Sequence, residues 1–211
     1  MTTTPFSPAA DRNKQPILDR LRQVLPAHGT ALEVASGTGQ HAAWFAAGLP
    51  GWIWQPSDAD ADALPAIHAW TAQTALANVR APLRLDVMAP TWPSSPATAP
   101  AVFAEPFDAI YCANMLHIAP WATCAALMRG AAQHLAPGGL LITYGPYLED
   151  SVATSQGNLA FDNSLRAQNP DWGIRRLEDV SVEAQRAGLA LRARHAMPAN
   201  NLLLVFARPG E

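Results

Sequence analysis

The sequence predicts an α/β domain built on a doubly wound, seven-stranded sheet, mostly parallel, with an antiparallel last strand. Two observations predict it. Short apolar runs alternate with helical patterns along the chain, and the runs are nearly continuous in apolar residues, as strands covered on both faces must be. The last two runs, about 189–196 and 201–207, are separated only by Met197 to Asn200. That gap is far too short for a crossover helix, so these two strands must pair antiparallel.

Residues 15–25 predict a first amphipathic helix, with Ile17, Leu18, Leu21, Val24 and Leu25 on one face, Pro16 in its first turn and Pro26 as its stop. Ala31 to Val34 form the first strand. It carries one acid, Glu33, and runs into the small-residue turn Ala35-Ser36-Gly37-Thr38-Gly39 ahead of a helix over Gln40 to Leu49. Trp52 to Gln55 make a second strand ending at Pro56-Ser57-Asp58. Asp60 or Asp62 caps the next helix, which carries Ile67, Trp70 and Leu76. A short third strand, Leu83 to Leu85, ends in Asp86.

Pro90, Pro93, Pro96, Pro100 and Pro106 rule out a regular helix over 89–106 and predict a surface loop. Phe107 to Ala113 read as a buried fourth strand, and 121–135 as a helix with Leu127, Met128, Ala131 and Leu135 inward. Pro137-Gly138-Gly139 turns the chain into a fifth strand, Leu140 to Tyr144. A polar insertion, 148–175, precedes the last helix, Leu177 to Ala187, which Gly188 stops.

With 211 residues, 49% of them apolar, the chain can close one sizeable core as a single domain, 1–211. No apolar run reaches the ~20 residues a membrane span needs, and Met-Thr-Thr-Thr-Pro-Phe-Ser-Pro has neither a basic patch nor an apolar core. The expectation is a cytoplasmic protein with no membrane partner. Cys112 and Cys124 form no metal or redox spacing, so free buried thiols and no metal are expected. The net charge is −3 and no basic run exceeds Arg175-Arg176, which argues against nucleic acid as a partner. Among thirteen arginines, Lys14 is the single lysine, a hint that an ammonium is wanted there.

The turn after the first strand is a nucleotide-binding turn, since small residues let backbone approach a ligand beside a new helix with unpaired N–H groups. Gly37-Thr38-Gly39-Gln40-His41-Ala42 fits the dinucleotide fingerprint, and Asp58 lies 19 residues beyond Gly39, where a ribose-binding acid belongs. The same residues fit the first motif of S-adenosylmethionine (SAM) methyltransferases, which also expects Glu33 two positions before the turn. Ala35 stands in place of the first glycine. Because alanine favours negative φ, a somewhat less open turn is expected there.

The other strand ends decide between the two. In a doubly wound sheet the ligand lies across the carboxyl ends of the strands. Ala35, Ser36, Gly37, Gly39 and His41 would hold the methionine part of the cofactor, and Asp58 would accept both ribose hydroxyls. Asp86, with Val87 beside it, would take the adenine amino group, and Asn114 and Met115 would lie near the sulfonium. A nicotinamide oxidoreductase explains Asp58 but has no use for Asp86 at that place.

This pattern resembles a class I SAM-dependent methyltransferase with a Rossmann-like fold. More narrowly, the chain is similar to the domain-of-unknown-function family 938, of the methyltransferase-like 26 type. The resemblance rests on Arg12-Asn13-Lys14, Ser36 to His41, Trp54 to Asp58, Cys112 to Ile118, Tyr144 to Tyr147, Asn169 to Arg175 and Met197 to Asn201. It implies the fold and SAM as cofactor, without naming a substrate. Arg176 stands where an acid capping the last helix is expected.

Methyl transfer requires alignment of the nucleophile with the methyl group, and a base if the acceptor starts protonated. His117 and Tyr144 are the candidate catalytic residues. Tyr147, with Asn158 and Trp172 in the lid-like insertion and Asn200 and Asn201 in the final hairpin, are candidates for holding a substrate. Arg12, Asn13 and Lys14, read as preceding the first helix, could fold over the pocket and hold an anionic group. The expected activity is methylation of a small polar molecule by a monomer or weak homodimer. The alternative is a non-catalytic protein that binds SAM or S-adenosylhomocysteine and docks a protein partner.

Overall fold

The computed structural model describes residues 5–92 and 102–209, so 93–101 of the proline-rich stretch lie outside the described residues. Helix α1 spans Pro8–Val24. Strand β1 (Gly29–Val34) leads through the turn into α2 (Gln40–Gly48), and β2 (Trp52–Asp58) into α3 (Leu64–Thr74). Then come β3 (Leu83–Arg84), β4 (Phe107–Ala113), α4 (Ala122–His134) and β5 (Leu135–Leu148). Helix α5 (Gln156–Gln168), β6 (Arg175–Arg176), α6 (Leu177–Arg186), β7 (Ala190–Met197) and β8 (Asn201–Ala207) complete the chain.

The strands lie in the order β3-β2-β1-β4-β5-β8-β7, with the two-residue β6 added beside the end of β5. All pairs from β3 to β5 are parallel, and β8 runs antiparallel to both β5 and β7. The expected seven-stranded path is therefore present, with one strand more. Among the described residues no helix is long and apolar enough to cross a membrane.

Helix α1 starts earlier than Pro16 suggested. Ser7 caps it by accepting from the Ala10 amide, Pro8 occupies its first turn, and Pro16 lies inside. An interior proline costs about 3 kcal/mol in isolation. Docking of the first turns onto α2 offsets that cost: the Ser7 amide donates to Gln40 Oε1 at 2.5 Å, and Lys14 Nζ sits 4.5 Å from the centre of the Trp44 ring.

Strand β5 also runs past Tyr144, because Tyr147 pairs with Arg175 and Pro146 with Asn201. The Pro137-Gly138-Gly139 turn becomes a bulge in its first half, where Phe107 pairs with Leu135 but Ala109 with Leu140. Arg176 leaves α6 without a side-chain cap and turns to Asp150 instead.

Two apolar cores sandwich the sheet. One face buries Leu32, Ile110, Leu127, Met128, Val180 and Phe206 under α4 and α6. The other buries Ile17, Leu21, Phe45, Trp52, Trp54 and Tyr111 under α1 and α2. Cys112 and Cys124 are both free and buried. Leu127→Ala opens a cavity in the first core, where the side chain is fully buried. It should lower stability by about 2–5 kcal/mol, read as a fall in the urea midpoint with an unchanged slope.

Candidate active site

The end of β1 is sewn to the end of β2. Ser57 Oγ donates to the Glu33 carbonyl at 2.7 Å, and the Ser36 amide donates to the Ser57 carbonyl at 2.9 Å. The turn that follows is left-handed three times, with φ of 56° at Ala35, 57° at Gly37 and 85° at Gly39. Ala35 thus takes positive φ, against the expectation from its type. The Ser36–Ser57 bonds dictate the path, and the alanine bears strain of about 1–2 kcal/mol. A Cβ at Gly37 would meet nothing within 4 Å, so that side of the turn is open backbone, whereas one at Gly39 would lie 2.6 Å from the Ile67 Cα.

Asp58 ends β2 beside this turn. Its Oδ2 accepts from the Gly37 amide at 2.9 Å and its Oδ1 from the Asp60 amide at 3.0 Å. Asp86, after β3, is half-buried and accepts from the Met88 amide at 2.9 Å, while Val87 packs into the core. Asn114, after β4, adopts φ of 56°, its amide donating to the Tyr144 carbonyl at 2.8 Å, and Met115 is half-buried next to it.

Glu33 lies beneath the turn and accepts from Trp54 Nε1 at 2.5 Å. Burial pushes its carboxyl up to about 8, opposed by bonds from Trp54 and Ser36. Gln40 opens α2. Its Oε1 accepts from the Ser7 amide and from Thr38 Oγ1 at 3.0 Å, while its Nε2 is buried with no partner. An unpaired buried donor at a helix N-terminus suits an anionic or carbonyl oxygen. The sequence displayed Gln40 within the turn, but nothing in it marked the side chain.

His41 was expected at the cofactor. Its ring instead faces α1, with Nε2 2.7 Å from Asn13 Oδ1 and a further bond to the Ala10 carbonyl. Arg12, Asn13 and Lys14 are part of α1 and do not precede it. Arg12 is exposed, and Lys14 pairs with Asp11 at 2.5 Å and lies over Trp44. Asn13 does reach inward. Burial raises the Tyr144 phenol above its ordinary pKa, and the Asn13 and Asn201 side chains oppose that rise.

The two tyrosines point to opposite faces of the sheet. Tyr147 donates its hydroxyl to Thr143 Oγ1 at 2.8 Å. On that face His117 is buried, edge-on to Phe161 at 5.5 Å, and near the position a Gly145 Cβ would take, as is the Asn114 side chain. Burial, and then the charge of Arg175, hold the His117 imidazole down to about 4. Arg175 was quoted in a family segment but assigned no task. Its guanidinium binds the carbonyls of Leu116, Ala119 and Asp171 at 2.9, 2.6 and 2.7 Å and lies over Trp121, which clamps the segment bearing His117.

The insertion supplies α5, which meets the final hairpin. Asn158 donates to the Asn200 carbonyl at 3.2 Å, and Tyr147, Asn158, Asn200 and Asn201 line one cleft of about 190 Å³. Trp172 is half-buried and closes a backbone turn onto Asn169. Among the described residues, no group of three or more His, Cys, Asp or Glu is placed to hold a metal ion.

Residues 4–208 match the family described as "Protein of unknown function (DUF938)". The chain belongs to that family. Its fold is that of class I SAM-dependent methyltransferases. The S-adenosylmethionine-dependent methyltransferase SibL superposes with a TM-score of 0.77 at 20% identity, over 96% of this chain and 56% of its own. An O-methyltransferase family 2 protein from Planctomyces limnophilus, solved with apigenin, gives 0.75 at 19% identity, over 95% and 60%. CalO1, a methyltransferase in calicheamicin biosynthesis solved with S-adenosylhomocysteine, gives 0.73 at 15%, over 95% and 55%. The DUF938 chain therefore spans little more than half the length of each of these solved proteins.

The buried groups set opposite pH trends. Glu33, raised from 4.5 to about 8, binds more protons folded than unfolded in that window, so stability falls as pH rises through it. His41 and His117, lowered from 6.5 to about 4, bind fewer protons folded, so they cost stability only below 6.5. Between pH 6.5 and 8 the native protein should lose up to about 1.4 kcal/mol per pH unit. Glu33→Gln should flatten that limb in urea titrations run across the range.

Proposed function

We propose that this protein is a SAM-dependent methyltransferase acting on a small polar molecule. One observation carries the reading. Four neighbouring strands, β3, β2, β1 and β4, end side by side in Asp86, Asp58, the open left-handed turn and Asn114-Met115.

The residues present fit the cofactor. Exposed backbone at Gly37 and the unpaired Gln40 amide would take its carboxylate end. Asp58, already fixed by two backbone bonds, would receive ribose hydroxyls, and Asp86 the adenine amino group. Bound there, SAM supplies an electrophilic methyl group on a sulfonium.

The acceptor side is this chain's own work. The cleft beside α5 gathers Tyr147, Asn158, Asn200 and Asn201, whereas His117 and the four strand ends lie outside its lining. The Phe161 ring stands beside His117 at the lid. His117 is neutral near pH 7 and offers a lone pair to an acceptor's hydrogen, while its burial makes it a weaker base than an ordinary histidine. Arg175 acts through the backbone that it holds, keeping the His117 segment in place.

Tritiated SAM incubated with the protein and a small-molecule extract should label a metabolite. Binding of S-adenosylhomocysteine without any labelling would instead indicate a sensor. By calorimetry the protein should bind S-adenosylhomocysteine and not NADH. Asp58→Ala should weaken that binding by about 1–3 kcal/mol, roughly 5- to 150-fold; unchanged affinity would remove the residue's role.

A further inference from the structure

Gly145 has no local reason to be a glycine. It lies within β5, paired with Leu202, and its φ is outside the left-handed region. Beyond its chain neighbours, a Cβ built there would meet nothing nearer than 3.6 Å, an ordinary contact, so packing does not forbid a side chain either. Glycine inside a strand is destabilising relative to alanine. Where neither backbone nor packing demands it, it marks a place that something else approaches closely.

The atoms nearest to that empty Cβ position are His117 Nδ1 at 3.6 Å, Asn114 Oδ1 at 3.7 Å and His117 Cε1 at 3.8 Å. His117 is only 7% exposed. Its carbonyl accepts from the Gly173 amide and its ring meets Phe161 edge-on, but among the described residues neither ring nitrogen has a hydrogen-bond partner. The Asn114 side-chain amide likewise has none among them, since its bond to β5 is made by its backbone N–H. Thr143 and Tyr147, the neighbours of Gly145 on the same face of the strand, are bonded to each other at 2.8 Å. Two polar groups without partners, one of them buried, thus converge on a notch that exists because residue 145 has no side chain. A buried polar group is costly until something pairs with it.

An oxygen or nitrogen seated slightly nearer to either group than that Cβ position comes into hydrogen-bonding range of it. Asn114 Oδ1 accepts and does not donate, so the atom that it faces must carry a hydrogen. We infer that Gly145 is a specificity-determining residue: its bare backbone opens a notch between Asn114 and His117 that seats the atom to be methylated, a hydroxyl oxygen or an amino nitrogen. Asn114 follows β4, at the strand end assigned to the sulfonium, so seat and methyl donor share one edge. This rests on the methyltransferase reading for the identity of the guest but not for the notch itself.

The test uses the full chain with Gly145→Ala, whose methyl fills the notch at ordinary contact distances and suits a strand. Before any cofactor is added, the ring ¹³Cε1–¹H resonance of His117, assigned with His117→Gln, should move in this variant, and the urea midpoint should not fall. S-adenosylhomocysteine affinity by calorimetry should stay within about twofold of the native value. Transfer of label from tritiated SAM to a small-molecule extract should fall about tenfold or more, the scale of one extra carbon in a binding pocket. In the native protein, the purified labelled product should move the His117 resonance when added with S-adenosylhomocysteine. Label in an ether or an N-methyl group is expected.

A His117 resonance unmoved by Gly145→Ala overturns the notch. Unchanged labelling overturns the seat, as does a loss of S-adenosylhomocysteine affinity equal to the loss of labelling, because residue 145 would then serve the cofactor. Label on carbon or sulfur, or in an ester that mild alkali cleaves to methanol, overturns the assignment of the acceptor atom. If Gly145→Ala does not fold, a native His117 resonance that ignores the product overturns the seat by itself. A native protein that binds no S-adenosylhomocysteine would end the methyltransferase reading, and the resonance in Gly145→Ala would still decide the notch.

Discussion

The bonds that join the ends of β1 and β2 are what the rest of the site depends on. Ser57 holds the Glu33 carbonyl and the Ser36 amide, and Asp58 holds the Gly37 amide. Together they force the chain into left-handed backbone at Ala35, Gly37 and Gly39, which aims the first turn of α2 across the sheet edge. Without that path Gln40 and His41 would not face α1, and the N-terminal helix would lose its polar contacts with α2.

Helix α1 is therefore docked onto this edge of the sheet and is not an appendage to the domain. Its cap residue binds Gln40, its Asn13 binds His41, and its Lys14 covers Trp44. These contacts also explain how a helix with an interior proline persists. Tertiary docking outweighs a local penalty of about 3 kcal/mol because several partners share it.

Burial governs the ionisation of the site. Glu33 beneath the turn, His41 under α1 and His117 beside Phe161 are each driven towards the neutral form by lost solvation. The charged side chains near them are occupied elsewhere: Arg175 grips three carbonyls, and Lys14 pairs with Asp11.

Much of this was legible in the sequence, for a physical reason. Strand alternation, the glycine turn, the acids after the second and third strands and the four-residue hairpin gap are local signals, set by side-chain period and backbone sterics. Those determined the mostly parallel sheet with its antiparallel close and the strand ends at which the acids stand. The start of α1, the positive φ of Ala35, the length of β5 and the direction in which His41 points were decided only by tertiary contact. Each depends on partners 20 or more residues away along the chain: Ser57 for Ala35, Gln40 for Ser7, Arg175 for Tyr147, Asn13 for His41. A local pattern carries no information about which of several equal-looking polar groups will be brought together, because the packing of the helices against the sheet makes that choice.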